Sequence, residues 1–104
     1  MKRVLFFTAG WCGPCKKVKP LFNILMDEFP ELAFSIIDEE FNENLFEFYT
    51  IKALPCFLFL DEGNAEVSRS SGVNEKLIRE LTEALNAIPS MEQRQEMNLE
   101  GIED

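Results

Sequence analysis

Histidine is absent from all 104 residues, so no imidazole can act as a general base, complete a Ser/His/Asp constellation or ligate a metal. Cysteine is scarce, with three residues, and a closed structural zinc site would have to take in a carboxylate or a second chain. We therefore expect no metal. Three thiols do not make a disulfide framework either. Lys2 and Arg3 precede only four apolar residues, Val4, Leu5, Phe6 and Phe7, before Thr8, which is too short for a secretion signal. The expectation is a reduced, cytoplasmic setting in which any disulfide is transient. No apolar run approaches a membrane span, and the chain shows no phosphate-binding loop, organic-cofactor motif, internal repeat or low-complexity block. Acid is missing from residues 1–26, which hold Lys2, Arg3, Lys16, Lys17 and Lys19; the remaining chain carries five basic residues against nineteen acidic ones. An acidic bulk of this kind disfavours nucleic acid as a partner.

What is plentiful is apolar side chain: 46% of the residues are hydrophobic and ten are phenylalanine, enough for one compact domain at this length. Residues 4–8 are short, apolar and aromatic and predict a buried strand, while Val18, Leu21, Phe22, Leu25, Met26 and Phe29 recur at helical spacing. Pro30 and Glu31 interrupt the pattern, residues 32–37 predict a second strand, parallel to the first, and Asp38, Glu39 and Glu40 an acidic turn. Asn42 or Asn44 caps a short helix through Leu45, Phe46 and Tyr49. A hairpin follows, with strands at 57–60 and 65–69 about an Asp61-Glu62-Gly63-Asn64 turn. Asn74 and Glu75 open a last helix carrying Leu77, Ile78, Leu81, Ala84, Leu85 and Ile88, which Pro89 ends. The fold class is α/β, a four-stranded mixed sheet flanked by helices over residues 1–88. Residues 89–104 form an acidic tail, an extension helix or a disordered segment, with Ser90 and Gln93 at capping-box spacing and Met91, Met97, Leu99 and Ile102 as weak docking residues.

Between the first strand and the first helix lies Trp11-Cys12-Gly13-Pro14-Cys15. Two thiols three positions apart at a strand-to-helix corner can open and close a disulfide. A thiolate there faces unpaired N–H groups and the positive end of the helix dipole, an interaction of about 0.3–1 kcal/mol and up to ~2 when partly buried. One pKa unit is about 1.4 kcal/mol, so the helix lowers the thiol pKa by up to roughly one unit. Lys16, Lys17 and Lys19 push the same way and favour acidic partners. Cys12, at the expected exposed lip, is the nucleophile, and Cys15, one helical turn in, is the resolving thiol. Gly13 permits the tight turn and Pro14 fixes φ early in the helix.

With these elements placed, residues 3 to about 88 resemble the thioredoxin family. Trp-Cys-Gly-Pro-Cys-Lys at 11–16 is the most specific match, Pro20 matches a proline that kinks the family's active-site helix, and Tyr49-Thr50-Ile51-Lys52-Ala53-Leu54-Pro55 resembles the approach to its cis-proline. Gly72 resembles the glycine of the substrate-facing loop. The resemblance implies that Pro55 is cis and packs on the disulfide, and that the Leu54 backbone pairs with an extended substrate. Trp11, Leu54, Gly72 and Val73 then form an apolar rim for that substrate. Trp11 as plain packing and Pro55 as a trans strand-edge proline are the structural alternatives.

Four departures stand out. The family's leading strand and helix are missing, leaving the shorter core shared with glutaredoxin and one sheet edge bare or otherwise covered. The family's buried carboxylate, six residues before the first cysteine, is Phe6, and its lysine partner on the next strand is Ile36. Proton transfer at Cys15 is therefore expected to rely on water. Cys56 replaces a threonine after the cis-proline, either as a small buried hydrophobe or as a third redox-active thiol. The acidic tail has no family counterpart. The function implied is reduction of protein disulfides by a Cys12/Cys15 dithiol with no bound cofactor, re-reduced by an external thioredoxin reductase. Ribonucleotide reductase is one candidate substrate, and the protein is expected to act as a monomer away from membranes. A glutathione-dependent, glutaredoxin-like reductase and a non-catalytic binding subunit are the competing readings.

Overall fold

The computed structural model describes residues 1–90, and the expectations for Met91, Gln93, Met97, Leu99 and Ile102 lie outside them. In chain order the elements are β1 (Arg3–Thr8), α1 (Gly13–Glu28), β2 (Ala33–Asp38), a 3₁₀ turn (Glu39–Phe41), α2 (Glu43–Phe48), β3 (Cys56–Leu60), β4 (Glu66–Ser71) and α3 (Glu75–Ala87). The sheet order is β2-β1-β3-β4, with β1 and β2 parallel and the other two pairs antiparallel. This is the mixed four-stranded sheet expected from the sequence. Among the described residues no strand pairs with the outer side of β2.

The period-2 alternation of β1 and β3 builds the core on both faces of the sheet. Val4, Phe6, Phe57 and Phe59 face Val18, Phe22 and Leu25 of α1 and Ile78 and Leu85 of α3. Leu5, Phe7, Cys56, Leu58 and Leu60 face the other way, onto Ile37, Phe46, Tyr49 and Ile51. Every residue of β3 is buried, as a central strand covered on both sides requires. Aromatic rings join the layers: Phe6 stacks on Phe57 at 4.6 Å and meets Phe22 at 5.3 Å, and Phe22 meets Phe34 edge-on at 5.6 Å. Buried Thr82 is tolerated in α3 because its hydroxyl donates to the Ile78 carbonyl at 2.7 Å. No basic residue occupies the last turn of α3, and Lys2 fills that role from outside by donating to the carbonyls of Asn86 and Ile88.

Three local expectations shift. The Asp38-Glu39-Glu40 turn is a 3₁₀ turn, because the Asp38 side chain accepts the Glu40 N–H at 2.9 Å and caps it. Asn42 precedes α2 without capping it; its amide donates instead to the Asp38 carbonyl. The hairpin strand runs over Glu66–Ser71, later than expected, because Asp61 accepts the N–H groups of both Gly63 and Ala65 and the register slips between Phe59 and Leu60.

Phe57 joins sheet and α1 through ring contacts and has no solvent exposure. Phe57→Ala is expected to cost about 3–5 kcal/mol in urea unfolding, the usual price of truncating a buried phenylalanine. A midpoint close to that of the native protein would contradict the packing described.

Candidate active site

At the end of β1 the chain turns through Ala9, Gly10 and Trp11, and the Cys12 N–H donates to the Ala9 carbonyl at 3.0 Å. Cys12 keeps an extended conformation (φ −83°, ψ 100°) and is the N-cap of α1. Its sulfur accepts the Cys15 N–H at 3.2 Å, taking up one of the donors a helix leaves unpaired in its first turn. Cys12 and Cys15 are joined as a disulfide, with Cα atoms 5.4 Å apart. Pro14 lies at the helix start, where no N–H is needed, and Pro20 lies within the helix.

Two expectations about this corner are corrected. Cys12 is not exposed: both cysteines are 3% accessible, and what protrudes is Trp11, at 73%. The difference between the two thiols lies in hydrogen bonding, since Cys12 holds the acceptor sulfur of the helix cap. Gly13 does not serve a tight turn. It begins α1 without a positive φ, and nothing lies within 4 Å of where a Cβ would stand, so neither backbone conformation nor space requires glycine there.

The Leu54–Pro55 peptide is cis, Pro55 is buried, and its carbonyl accepts the Gly72 N–H at 2.8 Å. Gly72 has φ +92°, a conformation that favours glycine, so this loop needs it. Leu54 packs against the cluster that contains both cysteines, and Val73 is half-exposed. Lys16 is exposed. Cys56 is 1% accessible and belongs to the core layer on the other face of the sheet from Cys12 and Cys15. Burial pushes its thiol pKa above the usual value, partly offset by Ser71, whose hydroxyl lies 3.8 Å from the sulfur. That placement buries the Cys56 sulfur in the core cluster on the sheet face opposite the dithiol.

Phe6 and Ile36 are directly paired in register and face α1, where Phe6 is buried and Ile36 is 45% exposed. Beyond them a cavity of about 210 Å³ reaches Cys15, with Thr8, Lys16, Lys19 and Asp38 among its walls. Asp38 is not evident as a site residue from the sequence, although its pairing with Thr8 follows once β1 and β2 are set parallel. Arg69 is not evident from the sequence either. That guanidinium pairs with Glu66 and donates to the carbonyls of Tyr49 (2.8 Å) and Thr50 (3.5 Å), tying β4 to the segment that leads into Pro55. The only signal was its place among the five basic residues that face nineteen acidic ones beyond residue 26.

A dithiol closed across the first turn of a helix, after a central strand and in one cluster with the Leu54 that precedes a cis-proline, defines a protein of thiol-disulfide exchange. The family model described as Thioredoxin matches residues 1–86. The thioredoxin of Geodia cydonium is 38% identical over 77 residues, 74% of this chain and 73% of the relative, and that of Gallus gallus is 35% identical over 82 residues, covering 79% and 77%. The X-ray structure of Fasciola hepatica thioredoxin superposes with a TM-score of 0.75 at 38% identity, covering 80% of this chain and 79% of that one. The chain belongs to the thioredoxin family and is a thiol-disulfide oxidoreductase. Members of the family reduce protein disulfides and are themselves reduced by thioredoxin reductase, with no bound cofactor.

Because the Cys56 thiol has its pKa raised by folding, its contribution to stability is whole below the unfolded thiol value of about 8.5 and is lost as pH rises beyond it. Stability is therefore expected to fall above that pH in the native protein and to fall less in Cys56→Ala. Alkylation of the reduced, folded protein is expected to leave Cys56 unlabelled until denaturant is added, and rapid labelling of Cys56 would overturn its assignment to the core.

Proposed function

We propose that Cys12 is the nucleophile and Cys15 the resolving thiol in the reduction of protein disulfides. The observation that carries this assignment is the Cys15 N–H directed at the Cys12 sulfur at the start of α1. A hydrogen bond to the charged form favours it, and the helix dipole adds to the same effect, so opening the disulfide leaves the negative charge on Cys12. Lys16, Lys17 and Lys19 raise the local potential further. The thiolate attacks a substrate disulfide, one substrate sulfur leaves, and Cys15 displaces the other from the mixed disulfide to regenerate the Cys12–Cys15 bond.

Trp11 and Val73 offer exposed apolar surface to the partner, and Leu54 and Gly72 offer backbone held in place by cis Pro55. Pro14 keeps α1 starting at the same residue. In this reading the electrons come from a thioredoxin reductase, ribonucleotide reductase is one substrate, and the protein works as a monomer in a reducing cytoplasmic compartment, where a dithiol donates electrons.

With thioredoxin reductase as the electron source, the protein is expected to reduce insulin, Cys12→Ser to lose turnover to background, and Cys15→Ser to accumulate a covalent adduct through Cys12. Full turnover by Cys12→Ser would end the assignment. Turnover driven by glutathione and not by the flavoprotein would move the protein to the glutaredoxin-like class.

A further inference from the structure

The cavity beside Cys15 has a role that the dithiol itself does not explain. In parallel register, Phe6 pairs with Ile36 and Thr8 with Asp38, so all four residues stand on the α1 face of the sheet. The first pair, with Ala9, gives the cavity an apolar floor; the second, with Lys16 and Lys19, gives it a polar mouth. Its volume of about 210 Å³ far exceeds the roughly 10–15 Å³ that one water needs. Cys15 is 3% accessible and is packed with Phe6, Val18 and Phe22, none of which can take a proton. The charged groups around the cavity are Lys16 and Lys19 from α1 and Asp38 from β2, while β1 contributes none. Asp38 is the one carboxylate among them, and so the one charged group able to accept a proton. Its side chain is steadied by the Glu40 N–H at 2.9 Å, and neither lysine neutralises it, the ion pairs among the described residues being Arg69–Glu66 and Arg79–Glu28.

We propose that Asp38 receives the Cys15 proton through water in this cavity during resolution of the mixed disulfide. The inference rests on the assignment of Cys15 as the resolving thiol. When Cys12 is bonded to a substrate sulfur, Cys15 releases its proton to cavity water and onward to the Asp38 carboxylate. The Cys15 thiolate attacks the Cys12 sulfur, the Cys12–Cys15 bond forms, and the bond from Cys12 to the substrate sulfur breaks. The substrate thiolate leaves with that electron pair and takes a proton from solvent. The dithiol is oxidised by two electrons and the substrate disulfide is reduced. Asp38 bonds to neither sulfur; it acts through water, with Lys16 and Lys19 lining the same cavity.

The test uses the reduced, full-length protein and dithiodipyridine, an uncharged aromatic disulfide whose thiopyridone is released twice. The first release follows attack by Cys12, the second follows attack by Cys15. Asp38→Asn retains an oxygen for the Glu40 N–H, so the turn is kept. It is expected to leave the first phase unchanged and to slow the second at least about tenfold, the lower range of a proton-transfer contribution. The second phase of the variant should also become dependent on buffer base, and acetate, small enough for the cavity, should restore it at constant ionic strength. A second phase at the native rate, or a slowed one that neither acetate nor buffer accelerates, would overturn the role of Asp38. Release of one equivalent of thiopyridone by the native protein, where resolution requires two, would instead overturn the assignment of Cys15 on which the inference rests.

Discussion

The hydrogen bond from the Cys15 N–H to the Cys12 sulfur is the contact on which the rest of the site depends. A helix must satisfy its first N–H groups, and most helices do so with a Ser, Thr, Asp or Asn cap and acidic residues in the first turn. The first turn of α1 has no acidic residue, and its cap is Cys12. A cysteine sulfur is a poor acceptor as a thiol and a good one as a thiolate. The start of α1 is thus better satisfied when Cys12 is charged, and the same geometry that begins the helix favours the reactive form. β1, buried over Val4–Phe7, fixes the point at which this helix can begin.

The buried parts of the fold were the legible ones. β1, α1, β3 and α3 carry dense apolar patterns whose periods differ clearly, and their positions agree with the structure to within a residue or so at most ends. The 3₁₀ turn and the later hairpin strand were not legible, because each is decided by one aspartate side chain, Asp38 or Asp61, accepting backbone N–H groups. The dithiol could be read from its motif. The burial of Cys12 could not, since it depends on the tertiary cluster that Cys12 joins with Phe6, Val18 and Phe22, and not on the spacing of the cysteines.

The cis-proline half of the site is held by contacts that span many residues. Thr50 adopts φ 54°, a left-handed conformation that costs an L-residue roughly 1–2 kcal/mol and is rarer still for a β-branched side chain. Its carbonyl and that of Tyr49 both meet Arg69, which is itself anchored by Glu66. The hydrogen bond from Arg69 holds the Glu66 carboxyl below its usual pKa, so the anchor persists at neutral pH. From there the chain runs through Leu54 to Pro55, whose carbonyl binds Gly72. Arg69 lies nineteen and twenty residues from the two carbonyls it binds, and no local pattern announces such a contact.

Phe6 shows how packing and proton transfer compete for one position. A carboxylate buried there would lie among Phe22 and Phe57 and would cost several kcal/mol of desolvation unless paired. With Phe6 stacked on Phe57 and Ile36 beside it, that cost is absent and the aromatic core runs unbroken beneath α1. Cys15 is then surrounded on its core side by groups unable to accept a proton. Its chemistry has to open toward the side where β1 and β2 end, and there Thr8, Asp38, Lys16 and Lys19 replace hydrocarbon with polar groups. Stabilising the core and ionising Cys15 are thereby separated in space: the first is carried by the middle of the strands, the second by their C-terminal ends.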